Sequence, residues 1–124
     1  MDFSSWEQSF RYLVQQARSM PAYPAELRDN AHEVTGCEAK VWLAVDTTNP
    51  TQVQVRMDSE SRIVKGLLAL LLEQTDGQSS AAIAEFDSQR YFAEIGLAKH
   101  LSPSRTNGLY QVCAALRAKV MPAS

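Results

Sequence analysis

The sequence predicts an α+β fold, a small three-stranded antiparallel sheet with helices packed on one of its faces. Three observations carry this reading. Gln52-Val53-Gln54-Val55-Arg56-Met57 alternates polar with apolar residues, the pattern of a strand with one wet face. Lys40-Val41-Trp42-Leu43-Ala44-Val45 is a second strand, rich in β-branched and aromatic residues, and the turn cluster Asp46-Thr47-Thr48-Asn49-Pro50 joins the two as an antiparallel hairpin. Helical periodicity lies before and after this region and does not alternate with the strands, which segregates the helices from the sheet. The third strand candidate is the short run His32-Glu33-Val34, which Gly36-Cys37 interrupts.

The helices follow from apolar spacing and end signals. Phe3, Trp6, Phe10, Leu13, Val14 and Ala17 share one helical face, with Ser4 or Ser5 as cap and Met20-Pro21 as the stop. Pro24-Ala25-Glu26-Leu27-Arg28 suits one further helical turn. From Ser59 or Ser61 a helix carries Ile63, Val64, Leu67, Leu68, Leu70, Leu71 and Leu72, apolar nearly all round and so buried on more than one side, until Asp76-Gly77 ends it. Ser79 or Ser80 opens a short helix through Phe86. Asp87 caps another with Tyr91, Phe92 and Ile95, closed by Gly96. Ser102-Pro103 starts the last helix, whose stripe is Leu109, Val112, Cys113, Leu116 and Val120.

A chain of 124 residues with 45% hydrophobic and 21% charged residues is expected to form one globular domain spanning 1–124. The net charge of -2 lacks the basic surplus of a nucleic-acid binder, and no polybasic block argues for a membrane surface. The longest apolar stretch, Gly66 to Leu72, is too short to span a bilayer, and the N-terminus lacks the features of a secretory signal, so a cytoplasmic protein is expected. Two cysteines and two histidines without a C-x-x-C pair give no zinc site, and no phosphate-binding glycine motif is present.

Cys37 is the main candidate for chemistry. It follows Gly36 between two strands, where a thiol can swing out to meet a partner, and a thiolate is a strong nucleophile tuned by nearby positive charge. The competing reading is a small hydrophobe under a loop, and loop context alone leaves both open. Cys113, on the apolar stripe of the last helix, reads as core. His32 and His100 are conceivable bases for a Cys37 dyad, but nothing in their spacing requires it. Asp58-Ser59-Glu60 sits at a helix start, where acid suits the dipole, and its functional reading is a partner-binding patch. Arg105 lies in the first turn of the last helix, where a cation opposes the dipole, an arrangement that sometimes serves to stabilise a nearby anion.

Three blocks occur in order: Gly36-Cys37-x-x-x-Val41-Trp42-Leu43, then Asp58-Ser59-x-x-x-Ile63-Val64-Lys65-Gly66-Leu67-Leu68-Ala69, then Leu97-x-x-His100-Leu101-Ser102-Pro103-Ser104-Arg105-x-Asn107-Gly108-Leu109. With them the sequence resembles the SufE/CsdE family of sulfur-acceptor proteins, from about Trp6 to the last helix. The resemblance implies a partner, a PLP-dependent cysteine desulfurase, whose persulfide sulfur passes to the loop cysteine, here Cys37, and whose activity is stimulated. The sulfur then moves to an iron–sulfur scaffold or another acceptor. It implies no cofactor on this chain, since the PLP belongs to the desulfurase. Arg105 matches the arginine of the last block and is expected near the cysteine loop, as support for the thiolate. Glu38, Lys40, Asp58 and Glu60 are the expected partner-binding residues.

Glu38 and Ala39 stand where the family has Gln and Ser. A carboxylate beside the thiol raises its pKa, and Lys40 offsets this. Val41, Trp42 and the Leu67–Leu72 helix are expected to supply an apolar pocket that shelters the transferred sulfur. Two other functions remain from the residues themselves: a hydrolase-like thiol enzyme using Cys37, and a non-catalytic interaction module.

Overall fold

The computed structural model describes residues 6–34 and 39–120, with the backbone alone for Trp6. In chain order the elements are α1 (Trp6–Ser19), β1 (Val41–Asp46), β2 (Gln54–Ser59), α2 (Arg62–Thr75), α3 (Ser80–Glu85), α4 (Ser88–Glu94) and α5 (Pro103–Val120), with single 3-10 turns at Ala25–Leu27 and Ala98–His100. This is the α+β order expected.

β1 and β2 pair antiparallel in the register Val41↔Ser59 through Asp46↔Gln54, so Leu43 faces Met57 and Val45 faces Val55 on one side. Trp42 faces Asp58, and Ala44 faces Arg56, on the other. Leu43, Val55 and Met57 are fully buried and share one apolar cluster with Leu67, Leu68 and Leu71 of α2 and Leu109, Val112 and Leu116 of α5. The hairpin turn is built by side chains: Asp46 Oδ1 accepts from the Thr48 N–H at 2.9 Å, and Asn49 Oδ1 from the Thr51 N–H at 3.1 Å.

Among the described residues the sheet has two strands where three were expected. His32-Glu33-Val34 makes a single isolated bridge, Glu33 to Trp42. The Leu43 N–H donates to the His32 carbonyl at 2.9 Å and the Val34 N–H to the Val41 carbonyl at 2.8 Å. The run begins directly out of a turn in which Asp29 Oδ1 accepts from the His32 N–H at 3.0 Å. That turn ends the pairing on its N-terminal side.

Capping follows sequence closely. Ser61, not Ser59, caps α2 by accepting from the Val64 N–H, Ser79 caps α3, and Asp87 caps α4. Ser59 is occupied elsewhere: its hydroxyl donates to the Lys40 carbonyl at 2.7 Å. Ser102 Oγ accepts from the Arg105 N–H at 3.3 Å, with Pro103 at the first position of α5. Gly77 and Gly96 supply the positive φ, 80° and 81°, that ends α2 and α4.

α1 presents a rotated face. Leu13 and Ser9 are fully buried, one helical turn apart, whereas Phe10 is 42% exposed. The cause is Gly66, which lets the α1 backbone descend onto α2 at Leu13 and fixes the line through Ser9 and Leu13 as the seam. Phe3 and the caps Ser4 and Ser5 lie outside the described residues.

Candidate functional site

The N-terminal ends of α2 and α5 converge with the start of β1 around a small cavity of about 60 Å³ that opens to solvent. Val41, Val64, Leu67, Leu109 and Val112 form its apolar wall, and Ala39, Ser61, Ser104, Arg105 and Gly108 complete it. Each wall residue is placed by simple periodicity. Val41 is on the inward face of β1. Val64 and Leu67 are three apart on α2, as Leu109 and Val112 are on α5. Gly108, one turn after Arg105, adds no side chain and so leaves space open.

The cavity is apolar but not electrically neutral. Ser61 caps α2 and Ser104 lies in the first turn of α5, so the first turns of two helices, where the helix dipole places partial positive charge, border it. Arg105 adds a full positive charge at its wall. Among the described residues no carboxylate forms an ion pair with Arg105. Such a wall favours an anion over a neutral group, with its polar side chains, Ser61, Ser104 and Arg105, set beside the apolar side.

Cys37 and Glu38 lie outside the described residues. Ala39, which lines the cavity, stands two positions after Cys37 in the chain. Of the residues expected to shelter sulfur, Val41 and Leu67 are in the wall, as is Arg105. Trp42 is not. It lies on the opposite side of β1, with the Arg28 guanidinium 5.2 Å over its ring. Ser61, Ser104 and Gly108 were missed as wall residues. The last two sit inside the Ser102–Leu109 block, and their helical spacing from Arg105 and Leu109 was the available signal.

The expected partner-binding residues divide. Lys40 and Glu60 are exposed and adjacent: the Glu60 N–H donates to the Lys40 carbonyl at 3.3 Å, and the Lys40 N–H to Glu60 Oε1 at 3.4 Å. Asp58 is 2% exposed and is paired with Arg28 and, at 3.4 Å, with Lys65. His32 pairs through Nδ1 with Asp29 Oδ1 at 2.6 Å, a bond that holds the exposed Asp29 carboxyl below its usual range. Among the described residues no group of three His, Cys, Asp or Glu is arranged to hold a metal ion.

Cys113 packs in the core at 3% exposure. Burial pushes its thiol up, and a hydrogen bond with Ser88 pulls it back less. A folded-state pKa raised above the unfolded value gives stability that is full below the unfolded thiol pKa of about 8.5 and is lost as pH rises through the folded value. We therefore expect urea midpoints to fall more steeply between neutral and alkaline pH in the wild type than in Cys113→Ala. Equal slopes would refute a buried, neutral Cys113.

The SufE family, described as an Fe–S metabolism associated domain, matches residues 1–120. The chain belongs to this family. It is 37% identical over 113 residues to the sulfur acceptor protein CsdE of Escherichia coli (strain K12), covering 91% of this chain and 77% of CsdE. The fold matches the solution structure of a hypothetical protein from Thermus thermophilus with a TM-score of 0.75 at 23% identity, over 92% of this SufE-family chain and 82% of that one. No helix among the described residues of this SufE-family protein is long and apolar enough to cross a membrane.

Proposed function

We propose that this protein is a sulfur acceptor and carrier that takes sulfane sulfur from a cysteine desulfurase onto Cys37, stimulates the desulfurase, and delivers the sulfur for iron–sulfur cluster assembly or to another acceptor. The observation that carries the reading is the cavity beside Ala39, apolar on one side and electropositive on the other, in a chain of the SufE family.

In the transfer, the Cys37 thiolate attacks the terminal sulfur of the donor's cysteine persulfide. A new S–S bond forms on Cys37, the donor's S–S bond breaks, and the donor cysteine leaves as a thiolate. Electrons balance without an external oxidant or reductant. The step needs a thiolate rather than a thiol, and it produces a persulfide anion that solvent thiols attack readily. Arg105 and the two helix ends favour both anions. Val41, Val64, Leu67, Leu109 and Val112 form a dry wall against which the outer sulfur is shielded. The partner's docking contacts fall to Glu38, Lys40 and Glu60, while the buried Asp58 holds Arg28 and Lys65.

The test is intact-mass spectrometry after incubation with a cysteine desulfurase and cysteine. The expected result is an adduct of one sulfur atom, mapped by peptide analysis to Cys37. No adduct with a desulfurase that this chain demonstrably stimulates would reduce the protein to a non-catalytic module. Turnover of a small ester or amide dependent on Cys37 would make it a thiol enzyme.

Arg105 gives a second prediction. Arg105→Leu removes the full charge but keeps the wall apolar, so the pH profile of Cys37 alkylation by iodoacetamide moves to higher pH, and the rate at pH 7 falls by roughly threefold or more. An unchanged profile would show that Arg105 does not act on the thiolate.

A further inference from the structure

Arg28 lies in the connector between α1 and the sheet, just past the Ala25–Leu27 turn. Its guanidinium pairs with Asp58 Oδ2 in β2 and lies over two rings, 5.2 Å from the centroid of Trp42 and 6.0 Å from that of Tyr23. Asp58 Oδ1 accepts from the Ser59 N–H at 2.8 Å and has Lys65 Nζ at 3.4 Å. Trp42 and Asp58 are direct cross-strand partners on the side of the hairpin opposite Leu43 and Met57. Arg28 therefore grips both strands at once from that side. Removing one cation leaves a carboxylate at 2% exposure without its main counter-charge, which makes the grip strong. Tyr23 braces the same segment by donating its hydroxyl to the Leu27 carbonyl at 3.0 Å. Burial, with the Asp29 charge next, pushes that phenol up to about 12, so it remains a donor at any ordinary pH.

The chain leaving Arg28 is held again within a few residues. Asp29 closes the turn to His32, the His32 carbonyl accepts from the Leu43 N–H, and the Val34 N–H donates to the Val41 carbonyl. Val34 is itself buried and is the third residue before Cys37. The approach to the cysteine loop is thus tied to the hairpin at two points, Arg28 and the His32–Val34 bridge, and the first supports the second.

We propose that Arg28 is a positioning residue for sulfur transfer: its clamp on Asp58 and Trp42 holds the chain up to Val34, three residues before Cys37, against the hairpin. This rests on Cys37 as the acceptor. Arginine suits the task because one planar group pairs with a carboxylate and stacks on a ring together, which a lysine ammonium does not do.

The test combines amide hydrogen exchange with alkylation of Cys37 by iodoacetamide in the full chain. In Arg28→Gln, exchange at Val34 and Leu43 accelerates by roughly tenfold while amides within α2 keep their protection, and Cys37 alkylation accelerates in parallel. Arg28→Lys gives a smaller change in the same direction. Uniform acceleration across sheet and helices would reduce Arg28 to a general stabiliser and overturn the proposal. So would wild-type exchange at Val34 and Leu43. Should Arg28→Gln fail to fold, Arg28→Lys decides alone by the same criterion. Sulfur loading of the wild-type chain, measured separately, tests the carrier reading, and neither result depends on the other.

Discussion

The Cys37→Ser variant is expected to take up no sulfur from a cysteine desulfurase, whereas Cys113→Ser is expected to load as fully as the wild type. The loss is complete because the step is a displacement at sulfur. A serine alcohol remains protonated near neutral pH, and its oxygen forms no stable analogue of the persulfide. The retained loading of Cys113→Ser follows from place: that thiol is 3% exposed among the apolar residues of α5, and burial keeps it neutral. Stimulation of the desulfurase separates two roles of the chain. If the proposed docking through Lys40 and Glu60 holds, binding is expected to survive Cys37→Ser, and relief of the persulfide is not. Intact mass and desulfurase turnover measured on the same samples check this. An adduct persisting in Cys37→Ser and vanishing in Cys113→Ser would overturn the assignment.

The parts of this molecule that were legible in its sequence are those governed by local rules. The alternation at 52–57, the cap choices Ser59 or Ser61 and Ser79 or Ser80, the caps Asp87 and Ser102, and the stop signals at Gly77 and Gly96 each depend on neighbouring residues alone; each element appears close to its signals, with β2 two residues later at Gln54–Ser59 and Ser61 and Ser79 as the caps used. The stripe of α5 was legible for the same reason, and Leu109, Val112, Cys113, Leu116 and Val120 are all buried. What periodicity could not show depended on partners distant in the chain. Phe10 lies on the apolar arc of α1, yet the seam runs through Ser9 and Leu13, because the depth and angle of α1 are set by Gly66 on another helix. Trp42 read as a pocket residue, but strand alternation gives neighbouring residues opposite faces, and only Val41 could join the cavity.

The candidate site divides along the same line. Val41, Leu67 and Arg105 were named from sequence and meet at one cavity. Arg105 was singled out by a local conflict, a cation in the first turn of a helix, and the three-block resemblance directed attention to the cysteine loop. Arg28 gave no such signal. An arginine beside an aspartate in a short connector looks like solvated surface. Its distinction comes from Asp58, thirty positions away along the chain and buried beneath it.

Gly66→Ala destabilises the protein by about 2–4 kcal/mol and lowers its melting temperature by on the order of 10 °C. The sign is opposite to that of an ordinary helix interior, where alanine improves on glycine by about 1 kcal/mol. Here the added Cβ meets backbone, not a side chain that could rotate aside. It comes 2.6 Å from the carbonyl carbon of Leu13 and 2.8 Å from its Cα, with the Leu13 oxygen nearer still. α1 must lift from α2, which opens the seam at Ser9 and Leu13. Gly77→Ala is the control. Nothing lies within 4 Å of a Cβ there, and the cost comes from its φ of 80° alone, about 1 kcal/mol. Thermal and urea unfolding of both variants check the pair. A Gly66→Ala protein as stable as the wild type would mean that α1 does not rest on α2 at this residue. The seam also matters for function: α2 supplies Ser61, Val64 and Leu67 to the cavity from the same helix that α1 braces. Lifting α1 is therefore expected to loosen that wall, and the folded fraction of Gly66→Ala loads sulfur more slowly than Gly77→Ala at equal folded concentration.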